Sequence, residues 1–125
     1  MVKTEPRLEP ELIAERWTTC SGTLELRVPR DLDCWPGHFP GRSVVPGILQ
    51  LAWVMRFASR WLGSAPRVRS IEGLKFKSVL SPEERFTLTL ERSGDGAGLR
   101  FRLADGDRTF SLGRFVLAGE EGSGE

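Results

Sequence analysis

An apolar run from Ile48 to Met55, interrupted only by Gln50, follows Pro46-Gly47 and precedes Gly63 and Pro66. Proline and glycine at these places are start and stop signals, so the pattern predicts a helix over about residues 47–61. Apolar side chains fill nearly every position of its first two turns, which predicts burial on most of its circumference. Arg56, Ser59 and Arg60 open a wetter side toward its end. The rest of the chain keeps a different period. Thr23–Val28 alternates ahead of the helix, as a half-buried strand does. Behind it, Val68, Ile71, Leu74, Phe76 and Val79 recur with Lys75 and Lys77 between them. Phe86, Leu88 and Leu90 alternate with Thr87 and Thr89, and Leu99, Phe101 and Leu103 return after a Gly94–Gly98 hairpin signal. One long helix followed by an antiparallel meander describes a small α+β domain.

The last strand, residues 109–117, changes phase. Phe110 and Leu112 share one parity, Phe115 and Leu117 the other, and Gly113 between them predicts a bulge that resets the facing side. Glu11–Trp17 reads as a short turn or helix. A chain of 125 residues has the length of one domain, divided here into a lead-in over 1–19, a folded unit over 20–118 and a glycine-rich acidic tail over 119–125.

Proton chemistry points to one residue. His38 is the only histidine, and it stands in Cys34-Trp35-Pro36-Gly37-His38-Phe39-Pro40-Gly41, just ahead of the helix. Histidine is the side chain whose ordinary titration falls near neutral pH. The surrounding glycines and prolines define a restricted loop path, which suits a base held near a helix start.

The segment Pro36–Trp53 closely resembles the signature of the hot-dog-fold 3-hydroxyacyl-[acyl carrier protein] dehydratases. His-Phe-Pro-Gly and the later Pro-Gly agree with it in identity and spacing, and Gln50-Leu51-Ala52-Trp53 resembles the aryl-polyene biosynthesis branch. Looser agreement through Leu74-Lys75-Phe76 and Pro82 extends the likeness over roughly residues 20–118. The resemblance implies a curved antiparallel sheet wrapped around a long central helix, with two subunits pairing their sheets. It also implies conversion of a 3-hydroxyacyl thioester to the trans-2-enoyl thioester, with no cofactor and with substrate carried on phosphopantetheine. His38 corresponds to the histidine that takes the α-proton, and Gly47 to the glycine whose backbone N–H binds the thioester carbonyl. Phe39, Ile48 and Trp53 are candidates to border the acyl chain.

One position departs from the pattern. The family's second catalytic group is a carboxylate five residues after this glycine, where the chain has Ala52. Loss of a positioned general acid typically costs about 10²–10⁴ in rate. A slowed dehydratase, one subunit of a heteromeric dehydratase and a non-catalytic acyl-carrier-binding protein all fit this substitution. An acyl thioesterase is a further alternative.

Charge narrows the partners. Eighteen basic against seventeen acidic residues give a net charge of +1, which argues against nucleic acid or anionic lipid as a general partner. Yet Arg56, Arg60, Arg67, Arg69, Lys75 and Lys77 fall in one stretch with a single acid, Glu72. That stretch is a candidate docking patch for an acyl carrier protein, where charge complementarity raises encounter rate and fixes orientation. Cys20, Cys34 and one histidine form neither a disulfide framework nor a metal-binding set. No stretch approaches membrane-spanning length, so a cytoplasmic protein is expected, and the resemblance implies a homodimer or a heterodimer with a related hot-dog subunit.

Overall fold

The computed structural model describes residues 9–30 and 44–118. It contains β1 (Glu11–Trp17), β2 (Ser21–Arg27), α1 (Gly47–Leu62), β3 (Val68–Phe76), β4 (Arg85–Arg92), β5 (Gly98–Asp105) and β6 (Arg108–Leu117). The strands form a six-stranded sheet in the order β1-β2-β4-β5-β6-β3, and every neighbouring pair is antiparallel.

The period-two residues become the core. Leu24 and Leu26, Phe86, Leu88 and Leu90, and Leu99, Phe101 and Leu103 are buried. Leu49, Trp53, Val54, Phe57 and Ala58 of α1 pack onto them as one cluster. Trp53 stacks on Phe86 with ring centroids 5.8 Å apart, and Phe101 on Phe115 at 5.1 Å. Burying each such large side chain stabilises the fold by about 1.5–3 kcal/mol.

Pro46 and Gly63 bound the helix where the stop and start signals predict. Gly63 takes the left-handed conformation (φ 88°) and donates its N–H to Ser59 at 2.9 Å, the usual glycine termination. Burial extends over most of α1 as expected, with Leu51 and Met55 packed partly against the core, but the apolar run is not covered throughout. Ile48, Ala52, Arg56 and Arg60 form an exposed stripe at four-residue spacing, opposite the core face. One helix on one sheet leaves a strip of the helix uncovered, however apolar its sequence.

The sheet corrects a second expectation. It is not strongly curled and does not wrap the helix. Both edge strands remain outside the core, β3 being exposed along its whole length and β1 along all but Trp17. A helix of sixteen residues is about 24 Å long, and six strands span about the same width at roughly 4.8 Å per gap. The helix therefore reaches across an open sheet. Gly47 at its start lies under Phe76 of β3. At its far end Arg60 pairs with Glu15 at 3.4 Å and Trp61 meets Trp17 at 5.3 Å, both on β1.

Glu11–Trp17 is a strand rather than a turn or helix, paired from Glu11↔Arg27 to Trp17↔Gly22. The β6 bulge exists but sits earlier than Gly113. Leu103 pairs with Ser111 and Ala104 with Thr109, so Phe110 is the extra residue. Gly113 stays in register opposite Phe101, whose ring lies 3.0 Å from where its Cβ would be. Its smallness serves packing. On β3 the ladder slips between Glu72 and Lys75, where Gly73 has φ 62°, a bulge glycine. Among the described residues, no helix is long and apolar enough to cross a membrane.

Candidate functional site

The start of α1 is held from several sides. Val45 donates its backbone N–H to Leu80 at 2.8 Å, and the Pro46 carbonyl accepts from Leu49 at 3.0 Å and Gln50 at 3.1 Å. Pro46 is the N-cap with no side-chain capping bond, and no acidic residue lies in the first turn. The amides of Gly47 and Ile48 thus have no acceptor inside the helix, and they lie at the positive end of its dipole. A developing negative charge on a ligand oxygen is favoured there.

Gly47 has a steric reason to be glycine. An added Cβ would stand 2.7 Å from Cζ and 2.8 Å from Cε1 of Phe76. Phe76 is 50% exposed and Ile48 65%, so the helix start has an apolar, accessible rim. Val68, Ile71, Leu74 and Val79 continue that apolar surface along and beyond β3.

Beneath the rim is a buried polar pair. Gln50 is 3% exposed and Ser111 fully buried. Ser111 donates its hydroxyl to Gln50 Oε1 at 2.7 Å, and Gln50 Nε2 donates to the Val45 carbonyl at 3.2 Å. Ser111 is also the register partner of Phe76 across the β3–β6 ladder.

His38 and Phe39 lie outside the described residues. The chain on either side of them converges on one segment. Val28 exchanges backbone bonds with Glu83 and Glu84 at 2.8 and 2.9 Å, and Val45 is bound to Leu80. Arg30 donates to the Glu83 carboxylate at 2.8 Å, which holds that carboxyl below its usual range.

The other candidates are dispersed. Ala52 is exposed on the outer stripe of α1, one turn beyond Ile48. Trp53 is 2% exposed, in the core against Phe86, and shares no face with Ile48. The basic residues fall into two groups. Arg56 and Arg60 on the helix pair with Glu9 at 2.8 Å and Glu15 at 3.4 Å. Arg67, Arg69, Lys75 and Lys77 lie on or beside β3 at the opposite edge of the sheet, and all are exposed. An open groove of about 520 Å³ runs beside the later turns of α1, lined by Met55, Arg56, Ser59, Arg60 and Ala65.

Two features escape a reading of the sequence. Phe76 over Gly47 is a contact between distant segments with no local signal. The Gln50–Ser111 pair does leave one, because a lone amide on a buried apolar face needs a partner.

Residues 14–114 match the family model described as ApeI-like, ApeI dehydratase. Among solved structures, the chain is similar to the dehydratase heterocomplex ApeI:P from Xenorhabdus doucetiae, at 29% identity, 89% of this chain, 99% of that one and a TM-score of 0.78. An uncharacterized protein from Erwinia carotovora subsp. atroseptica is similar at 30% identity, 90% and 98% coverage and a TM-score of 0.71. The 3-hydroxyacyl-[acyl-carrier-protein] dehydratase FabZ of Oenococcus oeni is 31% identical over 92 residues, which are 65% of this chain. The chain spans 66% of that relative's length.

Proposed function

The chain belongs to the ApeI-like family of hot-dog-fold dehydratases, in the aryl-polyene branch, and on that footing we propose that it serves dehydration of 3-hydroxyacyl thioesters on an acyl carrier protein. The observation that carries this is the start of α1 at Gly47, which Pro46 gives no side-chain cap, under Phe76 and adjoining the chain that returns from His38. His38 takes the α-proton, and the electron pair moves toward the thioester carbonyl. The Gly47 N–H stabilises the oxygen as it becomes negative. Collapse of that charge forms the C2–C3 double bond and expels the 3-hydroxyl, which leaves as water once an acid protonates it. No redox or metal cofactor enters this sequence of steps.

The acid is the open part of the machinery, since Ala52 has nothing to donate. Its exposed position leaves room for a carboxylate from a second subunit. The apolar residues of β3 supply a surface on which a related hot-dog subunit pairs. The similar ApeI:P structure is itself a heterocomplex, which favours a heterodimer over a homodimer. The acyl carrier protein docks by charge on Arg67, Arg69, Lys75 and Lys77, the arginines of α1 being already paired with glutamates. The assembly works in the cytoplasm.

Dehydration of 3-hydroxyacyl-[acyl carrier protein] by the chain, by His38→Ala and by Ala52→Asp tests this. The chain alone gives slow turnover that His38→Ala abolishes, and Ala52→Asp raises it by about 10²–10⁴, the usual worth of a general acid. Turnover insensitive to His38→Ala, or absent even with Ala52→Asp, refutes the assignment.

A further inference from the structure

We infer that Gln50 and Ser111 form a positioning pair that fixes the Gly47 amide for the reaction. The inference rests on the reading of Gly47 just given.

Gln50 holds the helix start by three bonds. Its backbone N–H and side-chain amide grip the carbonyls of Pro46 and Val45, at 3.1 and 3.2 Å. Its carbonyl oxygen accepts from Ser111 at 2.7 Å. Ser111 in turn lies across the ladder from Phe76, whose ring covers Gly47. The rung Phe76/Ser111 therefore meets the first turn of α1 twice, by packing at Gly47 and by hydrogen bonding at Gln50. Both polar side chains are almost wholly buried, where a hydrogen bond is electrostatically stronger and an unmade one costly. The side-chain amide adds what no apolar residue supplies, a hold on the Val45 carbonyl two residues ahead of Gly47. Preorganised donors act in catalysis through such fixed placement, and misplacement by about 1 Å is worth about 10² in rate.

The test compares Gln50→Leu, Ser111→Ala and Gln50→Glu in the full chain. Amide hydrogen exchange is read at Val45 and Leu49, whose N–H groups close the helix start, and at Val54 and Leu88 as controls. Gln50→Leu and Ser111→Ala accelerate exchange at Val45 and Leu49 at least tenfold and leave the controls unchanged. Kinetics in the Ala52→Asp background show kcat reduced about 10–100-fold with KM within about twofold. In Gln50→Glu the protection of Val45, relative to the unchanged chain at the same pH, returns as pH falls, because its buried carboxyl must be protonated to donate to Val45. Unchanged exchange at Val45 and Leu49 overturns the inference, as does unchanged kcat in a chain that turns substrate over. Loss of the pinning in a chain with no turnover at any pH refutes instead the role given to Gly47.

Discussion

Replacing Gly47 by alanine measures how tightly Phe76 covers the helix start. The new methyl would meet Phe76 at 2.7–2.8 Å, closer than carbon atoms approach, so ring or backbone must move. Overpacking of this kind costs about 1–3 kcal/mol. The ring is 50% exposed and swings outward more readily than a core ring, which places the cost near the lower end. Against it stands the helical preference of alanine over glycine, about 0.5–1 kcal/mol. Gly47→Ala alone is therefore neutral to destabilising by about 2 kcal/mol. In a Phe76→Ala background the obstacle is gone, and the same substitution stabilises by about 0.5–1 kcal/mol. The coupling between the two positions is then about 1–3 kcal/mol, in the range for contacting pairs. Urea denaturation of the chain, both single variants and the double variant gives that coupling directly. Additivity within about 0.3 kcal/mol would refute the contact and the packing reason for glycine at 47.

Two further outcomes follow from exposed groups. Ala52→Asp changes stability by no more than about 0.5 kcal/mol, because position 52 is exposed and the new carboxylate gains Arg56 one turn away; thermal denaturation checks it. Asp95, held below its usual range by the Ser93 hydroxyl at 2.6 Å and then the Ala97 N–H at 2.9 Å, orders the β4–β5 loop. A carboxyl lowered in the folded state contributes at neutral pH and loses that contribution as pH falls through its folded value. Protection of the Ala97 amide, measured against its intrinsic exchange rate at each pH, falls on acidification, and in Asp95→Asn it loses that pH dependence.

The elements legible in the sequence were those whose burial pattern is local. In β2, β4 and β5 alternate residues face the core, so their period matches their environment. Pro46 and Gly63 mark the helix because backbone chemistry acts where it is written. β1 was misread for the opposite reason. Glu11–Arg16 is exposed on both faces, so it carries no alternation, and its place in the sheet comes from backbone bonds to β2 and from its contacts with α1. Gly113 misled because a glycine signals a bulge and a covering ring alike. The exposed stripe of α1 was hidden by its own composition, since Ile48 and Ala52 read as core. At the candidate site, the place of Gly47 at the helix start is legible from the Pro-Gly pair and its role only from the family resemblance, whereas Phe76 and Ser111 reach the helix only through the β3–β6 rung.

The sheet order also sets a schedule for synthesis. β3 is made in the middle of the chain, yet its ladder partner is β6, the last strand to emerge. Between residue 76 and residue 117 a ribosome spends about 2–8 s, at roughly 5–20 residues per second. Throughout that interval Val68, Ile71, Leu74 and Phe76 have neither a strand beside them nor the Phe76/Ser111 rung, and Gln50 has no hydroxyl to meet. The helix start thus acquires the contacts described above only when β6 arrives, and a nascent chain stopped short of β6 holds every residue of the motif without the rung that pins it.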